Sequence, residues 1–245
     1  VTELQTLLDD IRDRSRRFVI YHQSPETPYE AWFRNHNVDV DYRELPAGSP
    51  GNFLVIERDG RFTGAIGLDD LETLLEPPIV PPTRRDTVSE GYQILFEVLS
   101  DTVFTAMTRR ELLAVSREIE ERAYRVGAGT LHVGFQHLSA FASQADVYRH
   151  LAADTGLEIH VYGSDDWTPP EIDGVTYHRL GPDARRRYWV LAFDGGPTPA
   201  QASGLLAREG PTDSYTGFWT SDPTLVGQLR SGLLVNSTGS PDRRS

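Results

Sequence analysis

The sequence contains no cysteine. That absence excludes disulfides, thiolate nucleophiles, zinc ribbons and cysteine-held iron–sulfur clusters. Lysine is absent as well: all 24 basic residues are arginine, set against 36 acids for a net charge of −12. Without lysine the phosphate-cradling Gly-x-x-x-x-Gly-Lys-Ser/Thr loop cannot be written. The acid excess argues against direct nucleic-acid binding, which needs a basic footprint. No apolar run approaches the roughly 18–20 residues that span a bilayer, so no membrane insertion is expected. Residues 1–11 carry early acids and no apolar signal core, and the expected location is the cytoplasm.

An acidic surface stays hydrated and dispersed where salt screens ordinary charge interactions. Together with arginine in place of lysine, a swap that a high-GC genome alone also makes, it leads to the expectation of a salt-adapted protein of the archaeal, halophilic kind.

Catalytic patterns are scarce. No Gly-x-Ser-x-Gly elbow surrounds any serine. The seven histidines show neither His-x-x-x-His nor His-Glu-x-x-His spacing, so no metal site is expected. Gly127-Ala128-Gly129 begins like a dinucleotide fingerprint but lacks its third glycine and precedes a strand, so it reads as a helix stop. Arg185-Arg186-Arg187 reads as a solvated loop. No nucleophile and base stand at a defensible spacing, and the chain is expected not to be an enzyme. The identity of any cofactor is unknown from the sequence.

What is present is α/β patterning. Leu4, Leu7, Leu8 and Ile11 recur at helical spacing. Strands are expected over 18–22 and 38–45, with a short helix over 29–35 between them. Strands over 52–56 and 62–66 flank Asp59-Gly60, a hairpin signal. Asp69 caps a helix carrying Leu71, Leu74 and Leu75. Four prolines in 77–82 mark an internal boundary.

The segment 88–127 reads as helical. Thr108 and Glu111 make a capping box, and Glu118–Arg122 and Glu121–Arg125 are paired at i,i+4 on a solvated face. Beyond it come strands over 131–135, 157–162, 188–193 and 215–219. Helices are expected over 145–153 and 200–209 and after Asp222-Pro223. The fold class is therefore α/β: two α/β segments with mixed sheets joined by a central helical segment. The corresponding units are 1–80 and 84–235, followed by a disordered tail over 236–245.

The two segments share an order of elements. Thr63-Gly64-Ala65-Ile66-Gly67-Leu68-Asp69 echoes Thr216-Gly217-Phe218-Trp219-Thr220-Ser221-Asp222, which would make the helix over 200–209 an insertion. Ligands of open α/β sheets sit at the carboxyl ends of strands. The residues there that mix apolar faces with polar groups are Gln136, His137, Tyr162 and Trp219, and these form the candidate ligand site.

Two resemblances follow. The strand over 18–22, then Thr27-Pro28-Tyr29-Glu30 and Gly67-Leu68-Asp69-Asp70-Leu71, resembles a glutaredoxin-type thioredoxin fold. Thr27 and Glu30 stand where that family has cysteines, so thiol exchange is excluded. The rest of the chain resembles the DICT sensory family. The carrying residues are Ser116-Arg117-Glu118-Ile119-Glu120-Glu121-Arg122-Ala123, Gly134-Phe135-Gln136, Val161-Tyr162-Gly163, Leu205-Leu206-Ala207-Arg208-Glu209 and Phe218-Trp219-Thr220-Ser221-Asp222-Pro223. That resemblance implies a sensory, signal-transducing module, found in the family beside cyclic-dinucleotide enzymes and two-component proteins and linked to light responses. With no kinase, cyclase or helix-turn-helix recognised, the expected output is contact with a separate regulatory protein. The input would be a small-molecule ligand or chromophore. The alternative is a ligand-free interaction adaptor.

Overall fold

The computed structural model describes residues 3–12, 16–23, 38–46, 48–49, 51–58, 61–68, 100–101, 103–181, 188–211 and 214–235. The expected helices over 29–35 and 71–75, the Asp59-Gly60 turn, the 77–82 boundary, the Thr27–Glu30 stretch, Arg185–Arg187 and the tail over 236–245 lie outside these residues.

Helix α1 (Glu3–Arg12) precedes strand β1 (Arg16–His22), and β2 (Val38–Glu44), β3 (Phe53–Arg58) and β4 (Arg61–Gly67) follow. These four strands form one sheet in the order β2-β1-β3-β4. β1 and β2 are parallel, β1 and β3 antiparallel, and β3 and β4 antiparallel, Leu54 standing opposite Ile66.

The remaining elements are β5 (Phe104–Thr108), α2 (Arg109–Val126), β6 (Ala128–His137), α3 (Leu138–Phe141), α4 (Ala145–Asp154), β7 (Gly156–Ser164), β8 (Val175–Arg179), β9 (Tyr188–Phe193), β10 (Ser203–Glu209), β11 (Ser214–Thr220) and α5 (Pro223–Val235). Their strands build a seven-stranded sheet in the order β5-β11-β10-β9-β6-β7-β8. β6, β7 and β8 are mutually parallel, and every other neighbouring pair is antiparallel. The fold is thus mixed α/β.

Side-chain alternation supplies two buried faces. Leu131, Val133, Leu191, Phe193, Leu205, Ala207 and Trp219 join Leu112, Val115, Ile119 and Ala123 of α2 in one core, which Phe18, Ile20, Leu54 and Ile56 of the smaller sheet extend. Val190, Ala192, Leu206 and Phe218 face the other way, onto Leu225, Val226, Leu229 and Leu233 of α5 and Leu4, Leu7, Leu8 and Ile11 of α1. Helix α5 lies close because Gly134 offers no side chain there: a Cβ would stand 2.6 Å from Leu233 Cδ2.

Local chemistry explains the helix ends. Thr108 Oγ1 accepts from Glu111 N at 3.3 Å while Glu111 Oε2 accepts from Thr108 N at 2.7 Å, closing the expected capping box. Gly127 ends α2 at φ 70°, its N–H donating to Ala123 O. Asp222 Oδ1 accepts from Thr224 N at 2.7 Å at the start of α5.

Three expectations are corrected. The stretch expected as a helix over 200–209 is a 3₁₀ turn, Pro199–Gln201, followed by strand β10. Gly204-Leu205-Leu206-Ala207 is buried on both faces, and a continuous apolar run does not distinguish strand from helix. The central segment is not wholly helical, since Phe104–Thr108 pairs with β11 as the sheet's outermost strand. Arg109 and Arg110 of α2 are exposed as expected, but Arg117 and Arg122 do not lie on a solvated face. Arg117 and Arg122 are only 5% and 8% exposed, because α2 is buried along Leu112 and Ala114–Ala123. Arg125 is the half-exposed cation that reaches Glu118 (3.9 Å) and Glu121 (3.8 Å). Strand β8, at the opposite edge, has no counterpart among the expected elements.

The two sheets share a pattern. The order and directions of β2-β1-β3-β4 recur in β7-β6-β9-β10. Strand position therefore matches β4 with β10, whereas the sequence echo matches it with β11.

Candidate functional site

Strands β5, β6 and β10 finish at the end of the large sheet where β9 and β11 begin. A cleft of ≈ 180 Å³ opens there on the α2 face, lined by Arg109, Phe135, Gln136, His137, Ala140, Gln144, Tyr188, Trp189, Glu209 and Tyr215. Its apolar wall is aromatic: Trp189 packs edge-on to Tyr215 (centroids 6.4 Å apart) and tilted to Phe135 (6.2 Å).

The polar groups are few and incompletely paired. Gln136 Nε2 donates to Glu209 Oε2 at 2.7 Å, leaving the other carboxylate oxygen. Trp189 Nε1 is buried and has no hydrogen-bond partner among the described residues. A buried N–H without an acceptor costs about 1–3 kcal/mol. Arg109, in the first turn of α2, stands at the rim.

His137 is 55% exposed on its side chain. Its Nδ1 lies 2.7 Å from Ser164 Oγ, and that hydroxyl donates its only proton to Gln136 O at 3.0 Å. Nδ1 must therefore be the donor. Asp166 Oδ2 is 4.0 Å from the same Nδ1. Burial works to raise the Asp166 pKa, but hydrogen bonds from Ser139 and the charge of His137 outweigh it and lower it. Ser164, His137 and Asp166 are not a nucleophilic triad. Serine and aspartate meet one nitrogen, whereas a triad needs them on opposite nitrogens.

The cleft touches a buried charge network. Gln144 Oε1 accepts from Arg117, and Arg117 pairs with Glu120. Glu120 Oε1 in turn accepts from Tyr148 OH at 2.6 Å. Burial, then the adjacent carboxylate, holds the Tyr148 pKa well above its ordinary value. The network ties α2, the 3₁₀ turn at Ala142–Gln144 and α4 together.

Of the four residues expected at the site, the structure brings Gln136 and His137 together and leaves the other two apart. Trp219 is buried under α2 against Phe104 (5.9 Å). It stands opposite Leu205 near the start of β10, so it lies at the far end of the sheet. In a mixed sheet the carboxyl ends of antiparallel strands point in opposite directions.

Tyr162 is at the right end but on the wrong face. There it joins three histidines across β6, β7 and β8. His132 and His160 rings stack at 4.8 Å, Tyr162 and His178 at 4.5 Å. His132 Nδ1 is 2.9 Å from Tyr162 OH, and His160 Nδ1 is 2.9 Å from His178 Nε2. Burial first, then neighbouring His160 and Arg230, pushes the His132 pKa down to about 3. Burial also lowers those of His160 and His178. Among the described residues no group of three or more His, Cys, Asp or Glu could hold a metal ion, and no helix is long and apolar enough to cross a membrane.

Trp189, Glu209 and Arg109 were not legible as site residues, because recognising them requires knowing which strands run in the same direction.

The geometry defines an α/β module with a small, aromatic-walled cleft at its strand ends. Residues 92–210 match the DICT family, described as a sensory domain in diguanylate cyclases and two-component systems. Every cleft residue except Tyr215 lies within that match. No curated protein matches the chain. Among solved structures, polyphosphate kinase from Porphyromonas gingivalis aligns over 99% of this chain and 50% of its own, at 10% identity and a TM-score of 0.39. The chain therefore spans half of that protein, and a likeness so distant carries no argument.

Proposed function

We propose that this chain is a non-catalytic sensory module in which a small ligand occupies the cleft at Gln136, His137, Trp189 and Glu209. The observation that carries the reading is the aromatic-walled cleft in which Gln136 meets one oxygen of Glu209, inside the segment that matches a sensory family. Relay would run from Gln144 to Arg117 and Glu120, so that occupancy alters how α2 is held. The output would be contact with a separate regulatory protein in the cytoplasm. The acidic, lysine-free composition supports a salt-adapted, archaeal setting. The strand order of the small sheet supports reading it as a thioredoxin-like unit without redox chemistry. A chromophore in the cleft would make the signal light.

The test is to purify the chain at high salt, record its near-ultraviolet and visible spectrum, and identify small molecules released on denaturation by mass spectrometry. The reading expects one molecule per chain from the wild type and none from a Trp189→Phe, Glu209→Gln double variant. Equal retention by the double variant removes the cleft from the argument. A partner protein captured equally by both, with nothing released from either, favours the ligand-free adaptor.

A further inference from the structure

Independently of the cleft, we infer that strand β8 is a self-association edge. A second copy of the chain adds its own β8 there, antiparallel, about a twofold axis through Tyr177, and the two large sheets become one. β8 ends its sheet and pairs with β7 alone. In a parallel ladder, successive residues turn their backbone groups to alternate sides. Ile159 N–H donates to Gly174 O at 3.2 Å and Leu180 N–H to Gly163 O at 2.9 Å. With Ile159 opposite Val175 and Gly163 opposite Arg179, those bonds fix the phase: Thr176 and His178 turn their backbone groups to β7, and Val175, Tyr177 and Arg179 turn theirs outward. Val175 N–H is already taken by Ile172 O at 3.0 Å. The Val175 carbonyl and the outward groups of Tyr177 and Arg179 have no hydrogen-bond partner among the described residues.

Such an edge is a template that proteins ordinarily blunt with lysine, proline, a bulge or an inward-pointing charge. β8 has none of these. Val175, Thr176 and Tyr177 are strand formers, and the register with β7 is unbroken. The one charge, Arg179, is exposed and meets Asp165 at 3.3 Å. The opposite edge, β5, by contrast carries a register shift in its pairing with β11.

The pattern of open groups fits a second β8. With Tyr177 facing its own counterpart, the two residues exchange both N–H···O bonds, and each Arg179 N–H meets the Val175 carbonyl of the other copy. Every open outward donor is then used, and the one donor this register cannot share, Val175 N–H, is the one Ile172 already holds. Arg179 falls opposite Val175 and Thr176 opposite His178, so no like charges oppose each other. Exposed Asp173, two residues before Val175, brings an acid to the side where the other copy's Arg179 arrives. A twofold pair closes on itself, the commonest symmetry of soluble oligomers. So short an edge buries less than the roughly 1,200–2,000 Å² of a stable interface, and the net charge of −12 repels the copies wherever salt does not screen it. The dimer is therefore reversible and favoured by salt.

The test is sedimentation equilibrium of the full chain at high salt, from micromolar to millimolar concentration, for wild type, Arg179→Ala and Arg179→Pro. The wild type should approach twice the single-chain mass as concentration rises. Alanine keeps the backbone N–H and loses only exposed ion pairs, so that variant should associate within about fivefold of wild type. Proline removes an N–H that β7 does not use and that bridges the copies at two symmetric places. It should weaken association by at least about tenfold, with circular dichroism checking its fold. A second readout needs no proline. A nitroxide on Thr176→Cys, a lone thiol in a chain without cysteine, should show strong dipolar broadening in the dimer, because the two Thr176 positions are diagonal neighbours with backbones about 7–8 Å apart. A wild type that stays a single chain at millimolar concentration overturns the inference and leaves the edge to a strand of a different protein. A dimer that Arg179→Pro leaves intact, or whose labels show no dipolar coupling, makes its contact elsewhere and overturns it too.

Discussion

Replacing His132 by Asn should flatten the acid limb of the stability curve. His132 sits on β6 against His160, Tyr162 and helix α5, 6% exposed, with a pKa pushed from 6.5 to about 3. Between those two values the unfolded chain binds a proton that the folded chain refuses, so stability must fall as pH falls through that window. At about 1.36 kcal/mol per tenfold change in proton affinity, the full displacement corresponds to about 5 kcal/mol, and about 2 kcal/mol of it is lost by pH 5. His160 and His178 have lowered values too and act in the same direction, but both remain in the variant. The assay is urea unfolding at pH 7.5 and pH 5.0 at constant high salt, each protein referred to its own neutral value so that the ring's packing cancels. Asn is chosen because its amide can replace Nδ1 against the Tyr162 hydroxyl. Wild type should lose about 2 kcal/mol more than His132→Asn between the two pH values. Equal losses, or a larger loss in the variant, would refute the claim that His132 is held neutral by the fold.

Three further outcomes are expected. Thr108→Ala removes the capping-box acceptor of α2 and should cost about 1 kcal/mol in urea unfolding. Tyr148→Phe strips Glu120 of one donor while leaving Arg117 in place. It should cost about 1–3 kcal/mol, and Phe should retain the packing against Phe141. Gly217→Ala should lower the melting temperature far more than Gly134→Ala. The first Cβ would stand 2.0 Å from the Leu206 carbonyl oxygen, a backbone atom of the paired strand, and the second meets the movable end of Leu233. Costs of order 3 and 1 kcal/mol respectively are the expectation, and equal melting curves would contradict it.

What the sequence disclosed is what local chemistry decides. Thr108 with Glu111, Gly127, and Asp222 with Pro223 mark helix ends without reference to anything distant, and the structure has each where expected. Alternation at Leu131, Val133 and Phe135 was equally plain. What stayed hidden was decided by partners far along the chain. Leu205-Leu206-Ala207 carries no period because both faces are covered, so β10 read as helix. Arg117 and Arg122 read as solvent-facing because nothing in their own segment shows that α2 is enclosed. The site suffered the same way. Gln136 and His137 close β6, and their place at a strand end was legible. Trp219 was assigned to the same strand ends by assuming a common strand direction, and the place of Trp189 and Glu209 along the cleft depends on the same unknown.

The alternation of strands β9 and β10 has a mechanical consequence. Trp189 and Glu209 hang into the cleft from one face of the sheet. Their chain neighbours Tyr188 and Arg208 hold helix α1 from the other, both donating to Gln5 Oε1 at 2.8 and 2.9 Å. Adjacent side chains of a pleated strand share one backbone and cannot be displaced independently. A tug on the strand ends from the cleft side is a tug on the two donors that grip Gln5. The N-terminal helix is thereby fastened to the back of the cleft, like a pointer fixed behind a dial.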